Sequence, residues 1–226
     1  ADVAKFQHYS ADSLVSDIDF KKLKINSTHQ KDWKGSVYDT YKKASLNPEW
    51  TAELYQTCKK AKILFMTSPY SIELADYVSK YLPAFKIGSG DITWLEELKH
   101  IARKKKPVLL ATGASNMNEV IEAVMTISKI NKNLVLMQCN TNYTNSQKNL
   151  KYFNLSTINT FQSIFPNIIT GLSDHSQNDD AVLAAVSLGA RVIERHFTDS
   201  TKHIGPDHSF STDVKSFKTL VKKVRD

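Results

Sequence analysis

From Ile63 onward the chain alternates short apolar runs with longer stretches of helical period. The runs are Ile63–Thr67, Ala84–Ile87, Val108–Ala111, Leu134–Cys139, Ile168–Leu172 and Val192–Phe197. They are near-continuous in apolar residues, the pattern of parallel strands covered on both faces. Helices are predicted between and after them, over about Ile72–Tyr81, Trp94–Lys104, Met117–Lys129, Ser156–Phe165, Asp179–Leu188 and Val214–Val224. Upstream, Asp2–Gln7 reads as one more strand. Asn47-Pro48-Glu49 supplies a cap, a proline at the first helical position and an acid in the first turn of a helix running to about Ala61. Residues 10–46 are polar, Lys-rich and weakly periodic, and read as a long excursion over one end of the fold.

Seven strands, each followed by a helix, imply a parallel sheet covered by helices, either open and doubly wound or closed as a (β/α)8 TIM barrel. Polar groups stand at or just past every strand end: Lys5, Ser68, Lys86, Thr112, Asn142, Ser173 and Glu194. An open sheet gathers its site at one switch point, whereas a barrel spreads it over all its strand ends. The expectation is therefore an α/β protein with a TIM barrel as a single domain over residues 1–226. A barrel has eight strands, so its first βα unit is expected to be missing from this chain. The start at Ala1 rather than Met fits an internal fragment or a removed leader.

Composition narrows the class. At 226 residues, 41% hydrophobic and 23% charged, the chain matches a soluble globular protein with one large core. No run is apolar and long enough to cross a bilayer, and no signal peptide is visible. The two cysteines, Cys58 and Cys139, fit a reducing cytoplasm, so a cytoplasmic location without membrane partners is expected. Cys58 reads as helix packing, and Cys139 as a strand end that at most lines a site. The net charge of +7 is concentrated in Lys21-Lys22-Leu23-Lys24 and Arg103-Lys104-Lys105-Lys106. The second run closes a helix, where cations suit the dipole. Both read as solvated surface. Without interleaved aromatics or a recognisable motif, nucleic acid is not an expected partner.

The chemistry concentrates in Gly171-Leu172-Ser173-Asp174-His175 and Val192-Ile193-Glu194-Arg195-His196-Phe197-Thr198. One crossover helix separates them, so adjacent parallel strands bring His175 and His196 to the same rim with Glu194 beside them. Two neutral imidazoles with carboxylate and water oxygens suit a divalent transition metal such as Mn or Zn. Hydrogen-bonded rim histidines remain the other reading of the same spacing. Lys86-Ile87-Gly88-Ser89-Gly90-Asp91 places a lysine inside a strand ahead of a turn whose glycines let backbone N–H groups approach a ligand. An anion site, with Lys5, Ser68, Thr112 and Ser173 as further donors, competes there with a Schiff-base aldolase acting through Lys86. Glu194 is either a general base or charge-stabilising group, or a salt-bridge partner of Arg195.

Together, Lys5-Phe6-Gln7, Lys86-Ile87-Gly88-Ser89-Gly90, Ala111-Thr112-Gly113, Gly171–His175, Glu194–Thr198 and Gly205-Pro206-Asp207 resemble the sialic acid (N-acetylneuraminate) synthase family along the whole chain and in order. The resemblance implies condensation of phosphoenolpyruvate with an N-acetylmannosamine-type sugar. It implies a divalent metal on His175 and His196, Mn(II) first, with Mg or Co as alternatives. It implies a phosphoenolpyruvate cradle of Lys86, Ser68, Thr112 and Ser173 with Lys5 nearby. Gln7, Asp91, Tyr143 and Asp207 fall around the amino sugar, Ser89 and Asn142 are further substrate-binding residues, and Glu194 matches the acid beside the metal. The family also implies a homodimer capped by a C-terminal antifreeze-like domain, which this chain does not contain. Departures are Ala111 where a serine is frequent, Thr144 in place of a proline, and Asp91 in place of a common glutamate. Within the class, a legionaminic or pseudaminic acid synthase acting on a 2,4-diacetamido-trideoxy sugar is the alternative.

Overall fold

The computed structural model describes residues 1–16, 18, 33, 35–143, 147–176 and 178–226. The Lys21-Lys22-Leu23-Lys24 run and Thr144 lie outside these described residues. Seven parallel strands are present: β1 (Val3–His8), β2 (Leu64–Pro69), β3 (Phe85–Ile87), β4 (Val108–Ala111), β5 (Leu134–Cys139), β6 (Ile169–Asp174) and β7 (Val192–Arg195). After α1 (Ala11–Leu14) and α2 (Val37–Ala44), the crossovers are α3 (Thr51–Lys60), α4 (Ile72–Ser79), α5 (Leu95–Arg103), α6 (Met117–Ser128), α7 (Thr157–Ile164) and α8 (Asp180–Ser187), and α9 (Val214–Arg225) follows the last strand.

Strand alternation sorts the side chains into two layers. Phe65, Phe85, Ile87, Val108, Leu110, Leu134 and Leu136 point outward and pack on Leu98, Ile101, Val120, Val124 and Ile127 of α5 and α6. Leu172 meets Ile158, Val182, Ala185 and Leu220 of the last three helices in the same way. Each such fully buried side chain contributes about 1.5–3 kcal/mol. The intervening positions Leu109, Ala111, Val135, Met137, Cys139 and Val192 turn inward and form a separate cluster. Inward residues nearer the strand ends are polar, and they make the site.

Helix starts follow local chemistry. Ser71 accepts from the Leu74 N–H, Asn116 forms a capping box with Glu119, and Asp213 accepts from the Ser216 N–H. The Asn47-Pro48-Glu49 signal opens a short 3-10 turn, Pro48–Trp50, that runs straight into α3. The described residues of the excursion 10–46 include two short helices that its pattern did not announce. α1 rests on a Ser10–Ser13 capping box, and α2 buries no residue and so carries no core-facing stripe. Tyr38 donates to Asp12 at 2.8 Å and ties the two together. The Arg103–Lys106 run is more engaged than a solvated surface: Lys104 pairs with Asp76, and Lys106 donates to the Leu82 carbonyl at 2.7 Å.

The strands form two hydrogen-bonded ladders, β1-β2 and β3-β4-β5-β6-β7. β2 lies alongside β3 without a ladder between them. The sheet curls strongly, because Lys5 of the first strand reaches Glu194 of the last at 3.2 Å. Among the described residues β7 does not pair with β1, and the seven strands of the expected TIM barrel without its first βα unit stand as a curled parallel half-barrel. A sheet closes only when each edge strand has a neighbour in register, and among the described residues neither β1 nor β7 has one on its outer side. No helix among the described residues is long and apolar enough to cross a membrane.

Candidate functional site

The carboxyl ends of the strands open into a cavity of about 730 Å3. Register builds its floor. Cys139 of β5 lies opposite Ser173 of β6, which lies opposite Glu194 of β7, and Gln7 of β1 lies opposite Ser68 of β2. Lys86 joins them from β3, with only 3% of its side chain exposed.

At the centre, Glu194 bridges two lysines, with Oε1 3.2 Å from Lys5 Nζ and Oε2 3.4 Å from Lys86 Nζ. Burial by itself would raise the Glu194 pKa, but the charges of Lys5 and Lys86 outweigh it and hold the carboxyl down at about 2. Burial lowers the Lys5 pKa, and Glu194 opposes that shift. Two cations against one carboxylate leave an excess of positive charge in a recess, which is a setting for an anion. The Ser68 hydroxyl fits that reading. It is buried and has no hydrogen-bond partner among the described residues, although it lines the cavity. Ser89 and Ser173 line the same wall. Gly113 (φ 54°) is required beside Ser89, since a Cβ there would stand 2.4 Å from the serine Cβ.

The imidazoles sit at the adjoining rim, ring centroids 5.1 Å apart. His175 Nδ1 lies 2.8 Å from the Asn140 carbonyl, which makes Nδ1 the protonated nitrogen and leaves Nε2 with its lone pair. Tyr143 packs edge-on against His175 at 4.4 Å, and Phe210 against His196 at 5.1 Å. His196 Nδ1 is 3.7 Å from Asp207 Oδ2. Burial pushes His175 down to about 4, and burial with the neighbouring His175 pushes His196 to about 3. Both rings are therefore neutral near pH 7, the form that can bind a metal. No set of three His, Cys, Asp or Glu side chains converges among the described residues, so the donor set is two imidazoles.

Arg195, next to Glu194 in sequence, turns to the outer face. It pairs with Asp174 at 3.1 Å and Asp179 at 3.3 Å and donates to the carbonyls of Ser176 and Asn178. A Glu194–Arg195 pair is thus replaced by two separate networks, and the outer one fixes the turn that carries His175.

Of the residues singled out from sequence, Lys5, Gln7, Ser68, Lys86, Ser89, Asn142, Tyr143, Ser173, His175, Glu194, His196 and Asp207 line one cavity. Thr112 and Asp91 stand behind the wall. The Thr112 hydroxyl donates to the Met137 carbonyl at 3.2 Å, and Asp91 Oδ2 is buried beside Gly88 without a hydrogen-bond partner among the described residues. Sequence reasoning missed Tyr9, Tyr41 and Tyr70, which also line the cavity. The signal for Tyr9 was available, because it continues the inward parity of Lys5 and Gln7. Tyr41 carried no signal, since its helix has no core stripe.

The chain is thus an α/β half-barrel whose curled parallel sheet carries a cationic recess and paired imidazoles at its strand ends. The NeuB family profile matches residues 1–226, and the chain belongs to that family. Over its full length it is 35% identical to an uncharacterized protein, MJ1065, of Methanocaldococcus jannaschii, covering 61% of that protein. It is 33% identical to the N,N'-diacetyllegionaminic acid synthase of Campylobacter jejuni, again over 100% of this chain and covering 67% of that one. The crystal structure of N-acetylneuraminic acid synthetase from Leptospira borgpetersenii, in complex with citrate, superposes with a TM-score of 0.84 at 26% identity, over 100% of this chain and 72% of that one. The chain thus spans about three fifths to two thirds of the length of the curated relatives it matches.

Proposed function

We infer that this site joins phosphoenolpyruvate to the aldehyde of an N-acetylated amino sugar, N-acetylmannosamine or a related one, giving a nonulosonic acid and phosphate. The observation that carries the proposal is the Lys5–Glu194–Lys86 bridge in one cavity with the His175–His196 pair. Lys5 and Lys86, with the hydroxyls of Ser68, Ser89 and Ser173, hold the phosphate and carboxylate of phosphoenolpyruvate and fix its C3 toward the acceptor. Thr112 acts from behind by fixing β5, and Asp91 by its place beside Gly88. Gln7, Asn142, Tyr143 and Asp207 surround the sugar.

The aldehyde oxygen faces His175 and His196. A divalent metal held there, Mn(II) first, would supply a Lewis acid to that oxygen. The two neutral imidazoles fit such an ion, and the Asn140 carbonyl orients His175 as an outer partner does. C3 of phosphoenolpyruvate bonds to the aldehyde carbon, the oxygen takes a proton, and positive charge develops at C2. Glu194, held ionised, is a weak base and acts by stabilising that charge. Water adds at C2 and gives up a proton that balances the one taken by the aldehyde oxygen; the C2–O bond to phosphate then breaks, and the C2 hydroxyl passes its proton to the departing phosphate to leave the ketone.

Phosphate release from phosphoenolpyruvate with Mn(II) and an amino sugar tests the proposal. His175→Ala or His196→Ala is expected to lower kcat/KM by about a thousandfold, the scale of losing a group aimed at developing charge. Full activity in either variant would remove the imidazoles from the mechanism. The Schiff-base alternative predicts a borohydride-trapped pyruvate adduct on Lys86. Its engagement by Glu194 argues for no adduct.

A further inference from the structure

The two imidazoles of the site are held in different ways. His175 is fixed by a hydrogen bond, its Nδ1 donating to the Asn140 carbonyl at 2.8 Å. His196 stands one residue past the end of β7, and Asp207 Oδ2, 3.7 Å from its Nδ1, is beyond hydrogen-bond range. Phe210, itself buried, packs on the His196 ring with centroids 5.1 Å apart. Asp207 and Phe210 belong to one segment, which leaves the sheet after Phe197 and returns at Thr212. What holds that segment in shape therefore also holds His196.

The ends of the segment are pinned together. The Thr198 N–H donates to the Thr212 carbonyl at 3.0 Å, and the Thr212 N–H to the His196 carbonyl at 2.8 Å. Within it, one buried hydroxyl is the hub. Thr198 Oγ1 donates to the Ser200 carbonyl at 3.1 Å and accepts from the Ser200 N–H at 3.2 Å. His208 Nδ1 lies 2.7 Å from the same oxygen, and with the hydroxyl proton already engaged the imidazole is the donor. The backbone wraps tightly around this second ring, since a Cβ at Gly205 would stand 2.6 Å from His208 Cδ2. His208 opens the 3-10 turn His208–Phe210, so Asp207 precedes it directly and Phe210 closes the turn. Ser211 Oγ donates back to the Asp207 carbonyl at 2.7 Å.

We propose that Thr198 and His208 form a clasp that positions the His196 imidazole, acting through Asp207 and Phe210. The proposal rests on the reading of His196 as a metal ligand and extends it to two positioning residues. A ring without a close hydrogen bond of its own is oriented by what packs on it. Outer partners of metal-binding residues are worth about ten- to a hundredfold in metal affinity.

The test uses two changes that keep the volume of the side chain. Thr198→Val removes the accepting hydroxyl, and His208→Phe keeps a ring under Gly205 without the donor. Imidazole NMR of the metal-free protein and Mn(II) affinity by electron paramagnetic resonance are the readouts. In both variants the His196 ring signals are expected to move more than those of His175, and Mn(II) binding to weaken by about tenfold or more. The double variant is no worse than either single one, because the two residues act as a unit, and Thr198→Ser restores both readouts. A clasp that only stabilises its loop lowers the melting temperature and leaves the His196 signals and Mn(II) affinity unchanged. That result overturns the proposal, as does loss of the whole fold in both variants, since a clasp within one loop leaves the core intact. Moved His196 signals in a protein that binds no Mn(II) in any form support the clasp and defeat the metal reading, so the two failures are separable.

Discussion

Glu194 and Arg195 are neighbours on β7, and each organises a charge network on an opposite face of the sheet, the inner one of three members and the outer one of four. The inner network has two cations around one carboxylate, opens on a cavity, and leaves its carboxylate 20% exposed. The outer one sets Arg195 and Lys223 against Asp174 and Asp179, with Arg195 only 3% and Asp174 0% exposed, and the carbonyls of Ser176 and Asn178 accept from the guanidinium. The outer set is buried and tied to backbone carbonyls, although the Arg195 Nε itself makes only an ion pair and no hydrogen bond, and it holds a turn in place. The inner set retains unmatched positive charge and opens on a cavity lined by an orphaned serine hydroxyl.

Breaking the outer network should have the largest effect on stability. Arg195→Met leaves Asp174 buried without its cation and is expected to cost about 3–5 kcal/mol, read from denaturant unfolding. A loss below about 1 kcal/mol would mean that the outer set behaves as a surface pair.

The inner network answers differently. Lys86→Met is expected to raise KM for phosphoenolpyruvate by one to two orders of magnitude, equivalent to about 1.4–2.7 kcal/mol, with a smaller change in folding. It should also alter the acid limb of stability. The folded-state pKa of Glu194 is depressed from 4.5 to about 2, so its contribution is present above pH 4.5 and is lost as pH falls toward 2. Removing one lysine raises that folded pKa and moves the acid-unfolding midpoint upward. An unchanged midpoint would show that Lys5 alone holds the carboxylate.

Glu97 supplies a third case, a buried carboxyl with no network. It is 1% exposed on α5, and neither of its oxygens has a hydrogen-bond partner among the described residues. Burial, and then the charge of Asp91, raise its pKa from 4.5 to about 8. The folded state therefore holds this proton while the unfolded chain loses it, and stability declines as pH rises from 4.5 to 8. Glu97→Leu is expected to stabilise by roughly 1–3 kcal/mol at pH 8 and by little below pH 4.5. Equal melting shifts at both pH values would contradict this account.

Much of the fold was legible because buried parallel strands must be apolar on both faces and helices need their caps. The six crossover intervals from α3 to α8 and the closing helix all stand where the pattern put them, within a few residues. α1 and α2 were not legible, because neither buries a stripe that would impose a period. Twelve of the fourteen site residues named from sequence line one cavity. Thr112 and Asp91 do not, since the position of a residue past a strand end does not say whether its side chain turns to the lumen or back to the neighbouring strand.

By itself the sequence determined the order of strands and helices, the parity that separates Glu194 from Arg195, and the strand ends that bear ionisable groups. These follow from local periodicity, which each segment carries alone. Only the tertiary structure decided that Lys5 and Lys86, on β1 and β3, both meet Glu194 of β7, and that tyrosines from β1, β2 and α2 form one wall. The curl of the sheet brings distant segments to one point, and that curl is a sum of twists over all the strands that no single segment contains.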